Sequence, residues 1–198
     1  MRIETNELSH VIELNEGAKT ILDDTHQVNL RALDAIVRSH HGGNELRGFA
    51  EVSSQMRHWS LELHGAVRNI CELSAQQVRG VSAFVHQRRM FGLLSAAARG
   101  ARVCVALNQA SARMSDDVER AGSDVQRLKR RLASALEDLE QLGLMASVLA
   151  RAAAIEASSG NEAQRDALSA VSREFAERSE SVTEKIRAMV KLEREARS

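Results

Sequence analysis

Apolar residues recur along this chain at alternating steps of three and four, the spacing that keeps them on one face of an α-helix. Leu14, Ala18, Ile21, Leu22, Thr25, Val28, Ala32, Ala35 and Ile36 form a wide stripe, predicting a first helix from about Glu4 to His41. At about 1.5 Å per residue it would be roughly 55 Å long. The densest cluster of helix breakers in the first half of the chain follows, His41-Gly42-Gly43-Asn44-Glu45. A second helix is expected from near Leu46, with Phe49, Val52, Met56, Trp59, Leu63, Ala66, Ile70 and Leu73 on one face, continuing through Val78, Val81 and Val85. A short breaker cluster between two such runs is the signature of a tight αα-hairpin.

Between Arg88 and Gly100 two glycines, Gly92 and Gly100, interrupt the pattern, and a connection is expected there. The third run then steps from Met114 through Val118, Ala121, Val125, Leu128, Leu132, Ala135, Leu139, Leu142, Ala146 and Leu149 to Ala153 without a slip. Sustained heptad spacing of this kind implies a left-handed supercoil. Ser158-Ser159-Gly160-Asn161 ends it, and Leu168, Val171, Phe175, Val182, Ile186 and Met189 mark a fourth helix. The expected organisation is a first hairpin over 1–88, a connection over 89–113 and a second hairpin over 114–198. The hairpins look related, because Leu149–Ala157 echoes Leu30–Arg38 in composition and in its place before a turn. Together they predict an all-α fold, a long antiparallel four-helix coiled-coil bundle made from two tandem αα-hairpins, since one hairpin alone leaves a side of its seam uncovered.

Composition agrees. Proline is absent and aromatic residues make up 3% of the 198 positions, which favours long helices around a thin Leu/Ala/Val seam. Lys+Arg and Asp+Glu both number 27, and the basic run Arg127–Arg131 is flanked by carboxylates on both sides, so a nucleic-acid partner is not expected. Cys71 and Cys104 are isolated and read as small hydrophobes in a reducing compartment. The N-terminus lacks a signal-peptide pattern and no run is read as a membrane span, so a cytoplasmic protein is expected.

No catalytic pattern is visible, neither a phosphate loop, nor HExxH, nor a nucleophile elbow, and no enzyme activity is expected. The Glu62-Leu63-His64 spacing is wrong for a di-iron bundle, and no cofactor is expected. One alternative remains on chemical grounds. His26 and His64 lie about equally far from the first turn, and a facing pair in a bundle interior would suit a metal- or haem-binding sensor. A purely structural coiled-coil scaffold is the other alternative.

Around the first turn the chain resembles the cytoplasmic signalling domain of bacterial chemoreceptors, the methyl-accepting chemotaxis proteins. The identities with that family's tip pattern are Gln27, Asn29, Leu30, Ala32, Leu33, Ala35, Gly43, Arg47, Gly48, Phe49, Ala50, Val52 and Arg57. In the second hairpin Ala153-Ala154-Ile155-Glu156-Ala157 and Ala176-Glu177-Arg178-Ser179 resemble a degraded copy, about two residues shorter between them. The resemblance implies signal transduction through protein–protein contacts at the hairpin tip, with a chemotaxis histidine kinase, a coupling adaptor or other receptors as partners. The implied contact residues are Leu30, Leu33, Asp34, Val37, Arg38, His41, Glu45, Arg47, Phe49 and Glu51. Asp34, Arg38, His41 and Glu51 depart from the family pattern in charge or polarity, so the fold carries over better than the docking. The tandem arrangement implies that one chain supplies both hairpins, as a monomeric pseudo-dimer, with a homodimer as the alternative.

Overall fold

A computed structural model describes residues 2–41, 46–100, 105–159 and 162–195, and the side chains of residues 11–39, 46–98, 105–159 and 165–195. Four α-helices account for them: α1 (Arg2–His41), α2 (Arg47–Gly100), α3 (Val105–Ser159) and α4 (Glu162–Glu195). Among the described residues there is no strand. The fold is all-α.

Of the connection expected over 89–113, residues 89–100 and 105–113 are helix, and residues 101–104 lie outside the described residues. α2 continues to Gly100 and α3 begins at Val105. Gly92 costs a helix only about 1 kcal/mol relative to alanine, and its surroundings are open, with nothing within 4 Å of a Cβ placed there. Phe91 and Leu94 remain half-buried on either side of it, so the helix keeps a packed face through the weak position.

The chain forms two compact units, one from Met1–Cys71 with Ser134–Ser198, the other from Glu72–Ala133. The first is a four-helix bundle. In α1 its buried positions are Val11, Leu14, Ala18, Ile21, Thr25, Val28, Ala32, Ala35 and Ser39, an unbroken three–four alternation. Leu22 and Ile36 flank that seam, half-buried. The helices are antiparallel neighbours in chain order around the bundle. Ser60 of α2 donates to the Thr25 carbonyl of α1 (3.0 Å), and Trp59 Nε1 of α2 donates to the Leu142 carbonyl of α3 (2.8 Å). Thr183 of α4 donates to the Gly143 carbonyl of α3 (3.0 Å), and Arg31 of α1 meets Glu174 of α4 (2.9 Å). A bundle that needs both hairpins therefore closes within one chain.

The α3 seam runs one residue off the expected phase on one side. Leu139, Ala146 and Ala153 are buried as expected, but the second buried series is Leu136, Gly143, Ala150 and Ala157, while Ala135, Leu142 and Leu149 are half-buried flanks. The cause is size. A Cβ at Gly143 would stand 3.2 Å from Ile186 Cδ1, so small residues let α4 approach α3 here, and the larger leucines cover the shoulder.

The two hairpins repeat each other in burial. Shifted by 118 positions, every buried residue of α1 from Ala18 to Ser39 falls on a buried residue of α3: Ala18 on Leu136, Ile21 on Leu139, Thr25 on Gly143, Val28 on Ala146, Ala32 on Ala150, Ala35 on Ala153, Ser39 on Ala157. On the return arms the matching shift is 116, pairing Met56 with Ser172, Trp59 with Phe175, Leu63 with Ser179, Val67 with Thr183 and Ile70 with Ile186. The difference of two positions means that the second hairpin has two fewer residues between its matched arms than the first.

The second unit is an antiparallel helix pair. A Cβ at Gly80 would meet Val125 (3.4 Å) and Leu128 (3.5 Å), and one at Gly122 would meet Phe84 (3.3 Å). With only two helices, Val81, Phe84, Val85, Phe91, Leu94, Met114 and Val118 are no more than half-buried.

Candidate docking surface near the first turn

The residues before the turn divide cleanly by helical phase. Leu30, Leu33 and Val37 lie off the α1 seam and are 46%, 38% and 56% exposed. Asp34 and Arg38, one turn apart on the same helix, neutralise each other, with Arg38 Nε donating to Asp34 Oδ2 at 2.8 Å. Beyond the turn, Arg47 and Glu51 are exposed, and Gln55 Nε2 donates to Glu51 Oε1 at 3.1 Å. The side chains of His41 and Glu45, and residues 42–45 as a whole, lie outside the described residues.

Phe49 is not a surface residue. It is 1% exposed and is among the largest fully buried side chains of the bundle, so its role is packing rather than contact with a partner. Its neighbour Gly48 lies against the carboxylate of Glu156 on α3, the flexible end of that side chain, which would have to shift to admit a Cβ. The Arg47-Gly48-Phe49-Ala50 block thus has a structural explanation inside the bundle: Phe49 fills the core and Gly48 admits a side chain from the opposite hairpin.

The second hairpin adds residues that the pattern alone did not single out. Under the 118-position shift Leu30 corresponds to Val148 and Val37 to Ile155, and these are 64% and 66% exposed. Leu144 and Met145, one turn earlier on α3, are 56% and 50% exposed. Each first arm therefore carries an exposed aliphatic strip beside its buried seam, although α1 and α3 differ in sequence there. Applying the internal repeat to exposed positions, not only to the alanines, would have found the second strip.

Hydroxyls line much of the interior. Thr25 and Ser39 return hydrogen bonds to carbonyls one turn back, at 2.6 and 2.7 Å, and Thr183 shares its single hydroxyl proton between the Ser179 carbonyl one turn back (2.7 Å) and that of Gly143. On the α1–α4 side, Asp24 gathers Lys185 Nζ (2.6 Å), Ser181 Oγ (3.0 Å) and Arg178 Nη1 (3.5 Å). This group ties the two hairpins together by charge, and the resemblance did not point to it.

The histidine pair does not form an interior site. His26 is exposed and His64 half-buried, because the seam positions at that level are held by Thr25, Ser60 and Leu63. Among the described residues there is no group of three or more His, Cys, Asp or Glu that could hold a metal ion. Cys71 is half-buried on α2, and Cys104 lies outside the described residues. α3 contains one stretch long and apolar enough, by length and composition, to cross a membrane, with a mean hydropathy of 1.2 and 28% of it buried.

No family model matches the chain, and no curated protein matches it.

Proposed function

We propose that this is a chemoreceptor-like, cytoplasmic signal-transduction protein that acts without chemistry of its own, through protein–protein contacts near the first turn. The observation that carries this reading is the exposed strip Leu30, Leu33 and Val37 on α1, three aliphatic side chains on a helix whose seam is already filled. Exposed aliphatic side chains lined along one helix face are a protein-docking feature. The self-paired Asp34 and Arg38 beside them leave little net charge for a partner to match. Support also comes from the likeness of the turn region to chemoreceptor signalling tips, and from the two-fold repeat of the hairpins, which reproduces within one chain the arrangement that family builds from two.

The partner is a chemotaxis coupling adaptor, its histidine kinase, or another receptor tip. Co-purification of the full chain with a coupling adaptor and kinase tests this. Wild-type protein should retain them, and Leu33→Glu with Val37→Glu should lose them while the helical circular dichroism is unchanged. Equal retention by the variant, or none by wild type, sinks the reading.

A further inference from the structure

The charge of this chain is balanced overall but not along its length. From Leu73 to Ser115 there is no aspartate or glutamate, while Arg79, Arg88, Arg89, Arg99, Arg102 and Arg113 are all present. This stretch lies within the two-helix unit. Arg79, Arg88, Arg89 and Arg113 are exposed, and among the described residues none of the four has a carboxylate partner. Nearer the other end of the unit the pattern reverses, with Arg120 held by Asp117 and Arg127 by Asp124, both at 2.7 Å.

The same end exposes its apolar side chains. Leu93 is 61% exposed, Met90 44% and Val105 65%. Leu93 stands one turn from Arg89 on the same face of α2, and Met90 is adjacent. The register set by Phe84 against Gly122 brings Leu93 level with Arg113 of α3. Exposed aliphatic side chains beside arginines without carboxylate partners, in a stretch with no acidic residue, combine insertion into an apolar layer with attraction to anions.

We infer that this end of the two-helix unit, with Arg88, Arg89, Met90, Leu93, Val105 and Arg113, docks on the surface of an anionic lipid bilayer. Charge complementarity selects a negative partner. The exposed aliphatics select lipid over nucleic acid, whose phosphate backbone is bound by basic and hydrogen-bonding groups. The helices lie on the surface here, with Leu93 and Met90 entering the headgroup–acyl boundary and the guanidinium groups at the phosphates.

Sedimentation of the full chain with phosphatidylcholine vesicles containing about 30% phosphatidylserine tests this, alongside pure phosphatidylcholine vesicles and a DNA duplex. The chain should sediment with the anionic vesicles only, and less as salt is raised. Arg88→Gln with Arg89→Gln should weaken binding roughly thirtyfold, from about fivefold for each arginine near the surface. Met90→Ser with Leu93→Ser should also weaken it severalfold, and Leu144→Ser with Val148→Ser should not change it. Three results would overturn the inference: no binding to anionic vesicles, unchanged binding by the arginine variant, or duplex DNA bound more tightly than vesicles. Loss of vesicle binding by the Leu144/Val148 variant would equally overturn it. The adaptor-docking reading does not depend on any of these outcomes, since its variants lie on α1.

Discussion

The indole N–H of Trp59 on α2 donates to the main-chain oxygen of Leu142 on α3, 2.8 Å away, at a position where the ring is 1% exposed. The bond joins one hairpin to the other. In the repeat, Trp59 corresponds to Phe175, which fills the equivalent place with no polar atom. Trp59→Phe should therefore cost about 1–2 kcal/mol, the bond plus a little volume. Trp59→Ala should cost about 3–5 kcal/mol. Urea denaturation followed by helical circular dichroism measures both, since each variant removes the only tryptophan.

Phe49 and Val37 separate packing from docking. Phe49→Ala should destabilise the bundle by about 3–5 kcal/mol, because it empties a core position. Val37→Glu, on a surface, should change stability by no more than about 0.5 kcal/mol. A partner-binding assay run on folded protein should then register Val37→Glu and be insensitive to Phe49→Ala at temperatures where that variant stays folded.

The α-helical glycines differ in what surrounds them. Nothing lies within 4 Å of a Cβ at Gly65 or Gly92, so alanine at either should stabilise by about 0.8–1 kcal/mol through helix propensity alone. A Cβ at Gly17 would stand 3.0 Å from Met189 Cγ, and Gly17→Ala should show none of that gain. Thermal melts of the three single variants give the comparison.

Asp24 and Lys185 link α1 to α4 at 2.6 Å, with side chains 17% and 34% exposed. A double-mutant cycle on Asp24→Ala and Lys185→Ala should return a coupling of about 1 kcal/mol, falling as salt is raised. A coupling near zero at low salt would mean that Arg178 and Ser181 hold Asp24 without Lys185.

Four helices, their order and most of their inward faces follow from periodicity in a chain without proline, because burying an apolar stripe at three–four spacing leaves little choice of element. Residues Leu30, Leu33 and Val37 could likewise be placed beside a turn, off the main stripe. What periodicity does not encode is which of two adjacent series faces the neighbour. In α3, contact with Ile186 put Gly143 inward and left Leu142 on the shoulder, since close approach rewards absence of volume that a hydrophobic pattern scores as weak. Phe49, a contact residue by the resemblance, is buried, and the alternative of a facing His26/His64 pair fails because His26 is exposed; both follow from the packing of four helices, which neither residue's own type reveals. The weak stretch around Gly92 stayed helical because its partner helix supplied the seam that local propensity lacked.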